Sequence, residues 1–293
     1  MENPPLIERK VDVKPAFELT SPRVSREFML FLCDQKKGEY ASDEGKMLVE
    51  KQRERIEKMF DSASGILDED DLRGNLMNQI DEKKKNPKMS VEELSNLNAD
   101  GDFLKSTFYK IDSWRDPLMG LYNRRGVTQI LGMLVEHPKE ILGDKYEQIT
   151  MTGFSLMLLD VDNLKKWNDQ KNHHRGDAAL TEFASAITEN VRPTDIVARL
   201  SGDEVLIIAL GADENDAKVA DTKISCRLND IVIENEKITY SAGADNGKNW
   251  EDIKKLVNSK NPEMALTSLL EDADQRLYEA KSSGRNRLVT DCD

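Results

Sequence analysis

Cysteine is scarce: Cys33, Cys226 and Cys292 stand at wide, patternless spacing in 293 residues, which argues against a disulfide framework or a cysteine-ligated zinc site. Long apolar runs are missing as well. No stretch approaches the length needed to span a bilayer, and Met1-Glu2-Asn3-Pro4-Pro5 lacks the basic and apolar segments of a secretion signal. The expectation is a cytoplasmic protein with no membrane partner. Positive charge is in deficit, 42 Lys and Arg against 55 Asp and Glu for a net charge of -13. A field of that sign disfavours nucleic acid and anionic lipid as general partners and leaves room only for a local basic pocket.

What is present divides into two patterns. Residues 1 to about 22 are polar and proline-bearing and read as a loosely ordered arm. From Val24 the spacing becomes helical: Phe28, Phe31 and Leu32, then Leu48, Ile56, Met59 and Phe60, then Leu72, Leu76 and Ile80. Charge repulsion and a proline in Lys83-Lys84-Lys85-Asn86-Pro87 predict a break, and Ser90-Val91-Glu92-Glu93 has the spacing of a capping box that opens the next helix. Leu94, Leu97, Leu104, Phe108 and Ile111 then form one stripe if the helix runs through Asp100-Gly101. Such a stripe packs either on its own helical region, the favoured reading, or on a second copy as a dimer seam. Residues 1–112 carry no ligand-binding motif and read as an all-α regulatory region.

After Trp114 helix and strand alternate. Val127, Ile130, Leu131 and Leu134 mark a helix, and Phe154-Ser155-Leu156-Met157-Leu158-Leu159 is a near-continuous apolar strand. His137 to Gly153 reads as an irregular surface insertion. Leu180, Phe183, Ala184 and Ile187 mark a further helix, followed by a hairpin from Ile196-Val197-Ala198 to Val205–Leu210 with Ser201-Gly202 at its tip. An amphipathic stretch from Ala217 to Ile233, a strand at Ile238–Ala242 and a last helix from Leu266 to Tyr278 complete the order. Residues 113–293 are therefore expected to form an α+β domain of ferredoxin-like or polymerase-palm type, a mostly antiparallel sheet flanked by helices.

Chemistry gathers at two strand ends. Asp160-Val161-Asp162 closes the apolar strand, and Asp203-Glu204 opens the second arm of the hairpin. If those strands are neighbours, their carboxylates converge, and like charges held together call for a cation. An oxygen-only set favours Mg²⁺, with Mn²⁺ as the alternative, and such ions commonly bring nucleotide phosphates. Lys165, Lys281 and Arg285 supply positive charge for those phosphates, although cations at a helix C-terminus are ordinary complements of its dipole.

Five segments stand in order: Asp116-Pro117-Leu118-Met119-Gly120-Leu121-Tyr122-Asn123-Arg124-Arg125, Asp160 to Asp169, His173-His174-Arg175-Gly176-Asp177, Ser201-Gly202-Asp203-Glu204-Val205, and Ala273 to Lys281 with Gly284-Arg285-Asn286-Arg287. Together they resemble the GGDEF domain, the diguanylate cyclase family. The resemblance implies condensation of two GTP into cyclic di-GMP by a homodimer. It implies metal ligation by Asp160, Asp203, Glu204 and the Val161 carbonyl, with Glu204 alternatively helping to activate the 3′-hydroxyl. It also implies guanine reading by Asn168 and Asp177, a nucleotide segment at Asn163, Leu164 and Lys165, and phosphate clamping by Lys165, Lys281 and Arg285. Arg192-Pro193-Thr194-Asp195 stands where the family has its R-x-x-D product-inhibition motif, so Arg192 and Asp195 are the expected allosteric pair.

Departures from the pattern are Ser201 for Gly, Val205 and Leu164 for Phe, and Met119 for Thr; none removes a charged or base-reading residue. The alternative to an active enzyme is a silent domain that binds GTP or cyclic di-GMP and signals by helix packing. A relaxed enzyme making a mixed cyclic dinucleotide is disfavoured by Asp177.

Overall fold

The computed structural model describes residues 19–20, 26–62, 69–169, 173–212, 215–233 and 235–291, and every side chain in them except 27, 69–71, 167–169 and 173. The expected N-terminal arm, apart from Leu19 and Thr20, lies outside the described residues, as does Cys292.

Four helices come first: α1 (Arg26–Gly38), α2 (Asp43–Ser62), α3 (Glu69–Lys84) and α4 (Val91–Trp114). The chain leaves α3 where the lysine run and Pro87 disfavour continuation. It enters α4 through the capping box, in which Glu93 N–H donates to Ser90 Oγ and Ser90 N–H to the Glu93 carboxylate. α4 runs unbroken through Asp100-Gly101 because both serve packing. The buried Asp100 accepts two bonds from Arg55 of α2, at 2.6 and 2.8 Å, and Gly101 lies beside Ile80. Leu97, Leu104, Phe108 and Ile111 are buried in the same core as Met59, Leu76 and Ile80, so the stripe packs on its own region except at Leu94, which stays exposed.

The passage out of α4 is a built joint between α4, β1 (Tyr122–Asn123) and α5 (Arg124–Glu136). Asn123 caps α5 by accepting from Gly126 N–H, while its amide donates to the carbonyls of Ser113 and Arg115. Asp116 closes the intervening turn by accepting from the N–H groups of Leu118 and Met119.

Between α5 and the first long strand the chain is helical, with α6 (Pro138–Leu142) and α7 (Tyr146–Thr152) burying Ile141, Leu142 and Ile149. The expected irregular insertion is thus a pair of short helices. One or two apolar residues per turn are enough to dock a helix of that length but too few to set a visible period. The elements that follow are β2 (Phe154–Val161), α8 (Leu164–Asp169), α9 (His173–Thr188), β3 (Ile196–Ser201), β4 (Glu204–Leu210) and α10 (Asp216–Asn229). The chain ends with β5 (Val232–Ile233), β6 (Glu236–Lys237), β7 (Tyr240–Lys248), α11 (Trp250–Val257), α12 (Pro262–Leu269), α13 (Glu271–Ser282) and β8 (Arg287–Val289). The single last helix expected from Leu266 to Tyr278 is two helices, α12 and α13. Leu270 N–H closes α12 on Leu266 and Thr267, and the redirected chain turns Ala273, Leu277 and Ala280 inward while Tyr278 stays exposed.

The main sheet has the order β1-β3-β4-β2-β7-β8. Its four central strands are antiparallel, β1 and β8 are parallel edges, and the central β2-helix-β3-β4-helix-β7 path is the ferredoxin-like arrangement. β2 is buried on both faces. Phe154, Leu156 and Leu158 enter the core shared with α5 and α11–α13, and Met157, Leu159 and Val161 enter the core under α9 and α10. α13 lies directly on β7 at Gly243, where an added Cβ would fall 2.2 Å from both the Ala273 carbonyl oxygen and the Leu277 nitrogen. Those are backbone atoms that cannot swing away. Gly243→Ala should therefore lift α13 from the sheet and lower stability by about 1–3 kcal/mol, seen as a lower urea midpoint; an unchanged midpoint would contradict this contact.

Candidate functional site

β2 ends at the rim of the sheet with Asp160 in register with Glu204 of β4. Asp160 shares the face of Leu156 and Leu158, and Glu204 that of Leu206, so both carboxylates project on the side covered by α13, with Cβ atoms roughly 4.5–5.5 Å apart as in any directly opposed pair. The Lys281 ammonium of α13 lies 2.8 Å from Asp160 Oδ2. Burial pushes the Asp160 carboxyl above its ordinary value, the hydrogen bond from Lys281 pulls it back, and the charges of Asp203 and Glu204 raise it further; the net direction is up. Three acidic groups thus share one electrostatic neighbourhood with one ammonium.

The hairpin tip is held by contacts across the chain. Gly202 takes a positive φ of 37° in the turn. Its carbonyl accepts from Arg199 Nε at 2.8 Å, and Arg199 Nη1 reaches the Asp116 carboxylate at 3.0 and 3.1 Å. The acidic tip is therefore tied to the joint after α4. Ser201 donates to Glu204 Oε2 at 2.6 Å, so the residue in the place of a glycine holds a carboxylate in position.

Asp162 behaves differently from Asp160. It is buried, and it accepts from Ser241 Oγ at 2.7 Å, Thr239 Oγ1 at 2.9 Å and Asn286 N–H at 3.0 Å. This carboxylate latches the start of β7 and the turn after α13, in which Arg285 and Asn286 both have positive φ. The latch fixes the backbone that carries Arg285 and follows Lys281. Nothing in the Asp-x-Asp spacing distinguishes a latch from a ligand; the Thr239-x-Ser241 hydroxyl pair was the available signal.

The remaining expected residues fall into three groups. Asn163 and Lys165 are exposed directly after β2, Asn163 with a φ of 57°, while Leu164 is buried against Val161 and its neighbours and Val161 offers only its backbone. Asp177 is exposed early in α9, with no side-chain bond to the strand-end carboxylates among the described residues, and the Asn168 side chain lies outside the description. Arg192 and Asp195 sit just before β3, beside a shallow cleft of about 70 Å³ that also touches Asp216 and Lys223. Asp195 Oδ2 accepts from Arg192 N–H at 2.8 Å, the Arg192 guanidinium pairs with Asp216, and Asp195 Oδ1 is buried without a hydrogen bond. Burial first, with the Asp216 charge adding to it against Arg192, pushes Asp195 up to about 7.

Oxygen donors alone surround the strand ends, which suits Mg²⁺ or Mn²⁺. In this conformation Lys281 supplies the counter-charge to Asp160, and no group of three or more His, Cys, Asp or Glu side chains is gathered tightly enough to hold a metal ion among the described residues. Donor chemistry and strand register fit a hard divalent cation once those side chains close on it.

Comparison with known proteins bears on these motifs. The chain is 31% identical over 173 residues to the diguanylate cyclase DosC of Escherichia coli, covering 59% of this chain and 34% of that one. It is 31% identical over 171 residues to the diguanylate cyclase DgcS of Shewanella oneidensis, covering 58% and 50%. The chain thus spans between a third and a half of the length of these relatives. The solved coiled coil and GGDEF domain of DgcB from Caulobacter crescentus, a complex with c-di-GMP, shares the fold at a TM-score of 0.51 and 23% identity, covering 69% of this chain and all of that one. The family described as diguanylate cyclase, GGDEF domain matches residues 113–287, the stretch that begins at the joint after α4 and closes on β8. On that match the chain belongs to the GGDEF diguanylate cyclase family.

Proposed function

We propose that the protein is a diguanylate cyclase that condenses two GTP into cyclic di-GMP as a homodimer, with residues 113–293 carrying the chemistry and the helices of residues 1–112 controlling it. The observation that supports this reading most directly is the opposed Asp160–Glu204 pair with Lys281 on Asp160, in a chain of this family. Relatives named diguanylate cyclases lend it further support. Each protomer holds one GTP, and two protomers meet so that each 3′-hydroxyl oxygen bonds to the other's α-phosphorus while pyrophosphate leaves.

Within that scheme the chain's own groups divide the work. Glu204, steadied by Ser201, accepts from the attacking hydroxyl or completes the ligand set. Lys165, Lys281 and Arg285 meet the phosphate charge, which spreads over the oxygens in the transition state. Asn168 and Asp177 read guanine, whose N1–H and amino group form a donor pair that adenine lacks. Mg²⁺ or Mn²⁺, held by Asp160, Asp203, Glu204 and the Val161 carbonyl, supplies further neutralisation of that charge.

Arg192 and Asp195 form the product site in this reading. The half-exposed guanidinium pairs with Asp216 and, among the described residues, keeps donors for a second acceptor, while the buried Asp195 carboxyl fixes the Arg192 backbone beside it.

Two outcomes test the proposal. Purified protein with GTP and Mg²⁺ should yield cyclic di-GMP by chromatography, and Asp203→Ala or Glu204→Ala should lower turnover roughly 10²–10³-fold, the range for loss of one charge-stabilising group, with melting unchanged; no product at dimer-forming concentrations favours the silent binding module. The second concerns pH. Because the folded Asp195 binds its proton more tightly than the unfolded one, the stability it contributes is complete below 3.8 and lost as pH rises through about 7. Asp195→Asn escapes that loss, so its melting-temperature advantage over wild type should grow from about pH 4 to pH 7 and level off above, while inhibition by cyclic di-GMP weakens; a pH-independent difference would refute the buried-acid assignment.

A further inference from the structure

The helical region contains a cleft of about 350 Å³ between α2, the α3–α4 turn and the first turns of α4. Its volume lies at the small end of the range for small-molecule sites. The floor is apolar: Met59 and Leu97 are buried there, at 2% and 7% exposure. The two acidic residues of the lining are already engaged. Asp100 holds Arg55 through both oxygens, and the Glu93 carboxylate is committed to the Ser90 cap. Burial and pairing thus commit Asp100, while the exposed Glu93 holds the cap through Oε2. The lining cations keep donors for a ligand: Arg55 uses two of its five N–H donors on Asp100, and Lys58 and Lys83 are exposed at opposite walls and enter no ion pair among the described residues.

We infer that this cleft binds a small amphiphilic organic anion, its apolar body on Met59 and Leu97 and its anionic head between Lys58 and Lys83. The charge pattern specifies the ligand class. In a protein of net charge -13 this cleft, lined by Arg55, Lys58 and Lys83 against Glu93 and Asp100, is a local inversion of sign, and an apolar floor between lysines on separate walls suits a carboxylate on a short hydrocarbon better than either a bare inorganic ion or a neutral hydrocarbon. Its walls are separate elements, with Lys58 on α2 and Lys83 at the end of α3, so an anion bridging them draws the α3–α4 turn toward α2. α4 then leads directly to the joint at Asn123, which gives the site a place in the control of the sheet domain.

The test reads binding and is independent of turnover. The full chain carrying ¹³C-methyl methionine is titrated with octanoate, and octanol serves as the neutral control. The expected result is a saturable shift of the Met59 and Met89 methyl resonances with the exposed Met151 unmoved, binding of octanol weaker by about tenfold, and a comparable loss of octanoate affinity in K58Q/K83Q. Both lysines are exposed, so the variant keeps the fold, and an unchanged Met59 position in the free variant verifies it. Absence of a saturable shift, equal affinity for octanoate and octanol, or wild-type affinity in K58Q/K83Q would overturn the inference.

Discussion

A single buried carboxylate, that of Asp162, ties together the pieces of chain that meet at the end of the sheet. Ser241 donates to it from β7, Thr239 from the residue just before that strand, and Asn286 from the turn after α13. Magnitudes explain why the turn persists. Two non-glycine residues in the left-handed region cost roughly 1–2 kcal/mol each, whereas each hydrogen bond to a charged acceptor contributes about 1.5–3 kcal/mol. Of the three bonds only that from Asn286 N–H acts on the turn itself, where with the bond from Arg285 N–H to the Ala280 carbonyl it offsets the strain; those from Thr239 and Ser241 hold the carboxylate in place to receive it. The consequence reaches the site, because the same turn ends the helix that brings Lys281 to Asp160.

Asp160 depends on that arrangement in turn. Its carboxylate is desolvated and faces the charges of Asp203 and Glu204, and Lys281 offsets part of the cost. Repulsion within the acidic group and attraction to one ammonium leave a site with unspent affinity for positive charge. Rigid strands on both sides prevent the carboxylates from relieving the repulsion by moving apart through the backbone, since β2 is covered on both faces and paired on both edges.

Much of this was legible in the sequence where the cause is local. The uninterrupted apolar run of β2, the Ser90–Glu93 cap and the turn residues of the β3–β4 hairpin each follow from neighbours a few positions apart. Asp160 and Glu204 were marked as strand-end carboxylates for the same reason. What stayed hidden acts over distance. The Asp162 latch spans 124 residues to Asn286 and the Arg199–Asp116 pair spans 83, and no local pattern announces either. The split of the last helix into α12 and α13 is also tertiary, set by the packing of α13 on Gly243 of β7. Short helices between His137 and Gly153 escaped because two turns are too few to reveal a period.

The change of sequence character near residue 112 does not coincide with a boundary in packing. One hydrophobic core runs from Phe28 and Met59 through Trp114 to Val127, Leu206 and Leu277, and Phe28 meets Trp114 edge-on. Gly126 lets α5 approach so closely that an added Cβ would lie 2.3 Å from the Trp114 carbonyl oxygen. A second tie lies at the other end of the helices. Leu19 N–H donates to the Pro193 carbonyl, Thr20 Oγ1 to that of Arg192, and Val197 N–H to that of Thr20. The chain ahead of α1 is thus hydrogen-bonded to the loop of Arg192 and Asp195, while the end of α4 is bonded to the joint that steadies the Asp203 hairpin through Asp116 and Arg199. Each of these two ties leads to a different part of the candidate site. Dense packing makes such a connection stepwise rather than gradual, because close-packed interfaces shift between discrete arrangements.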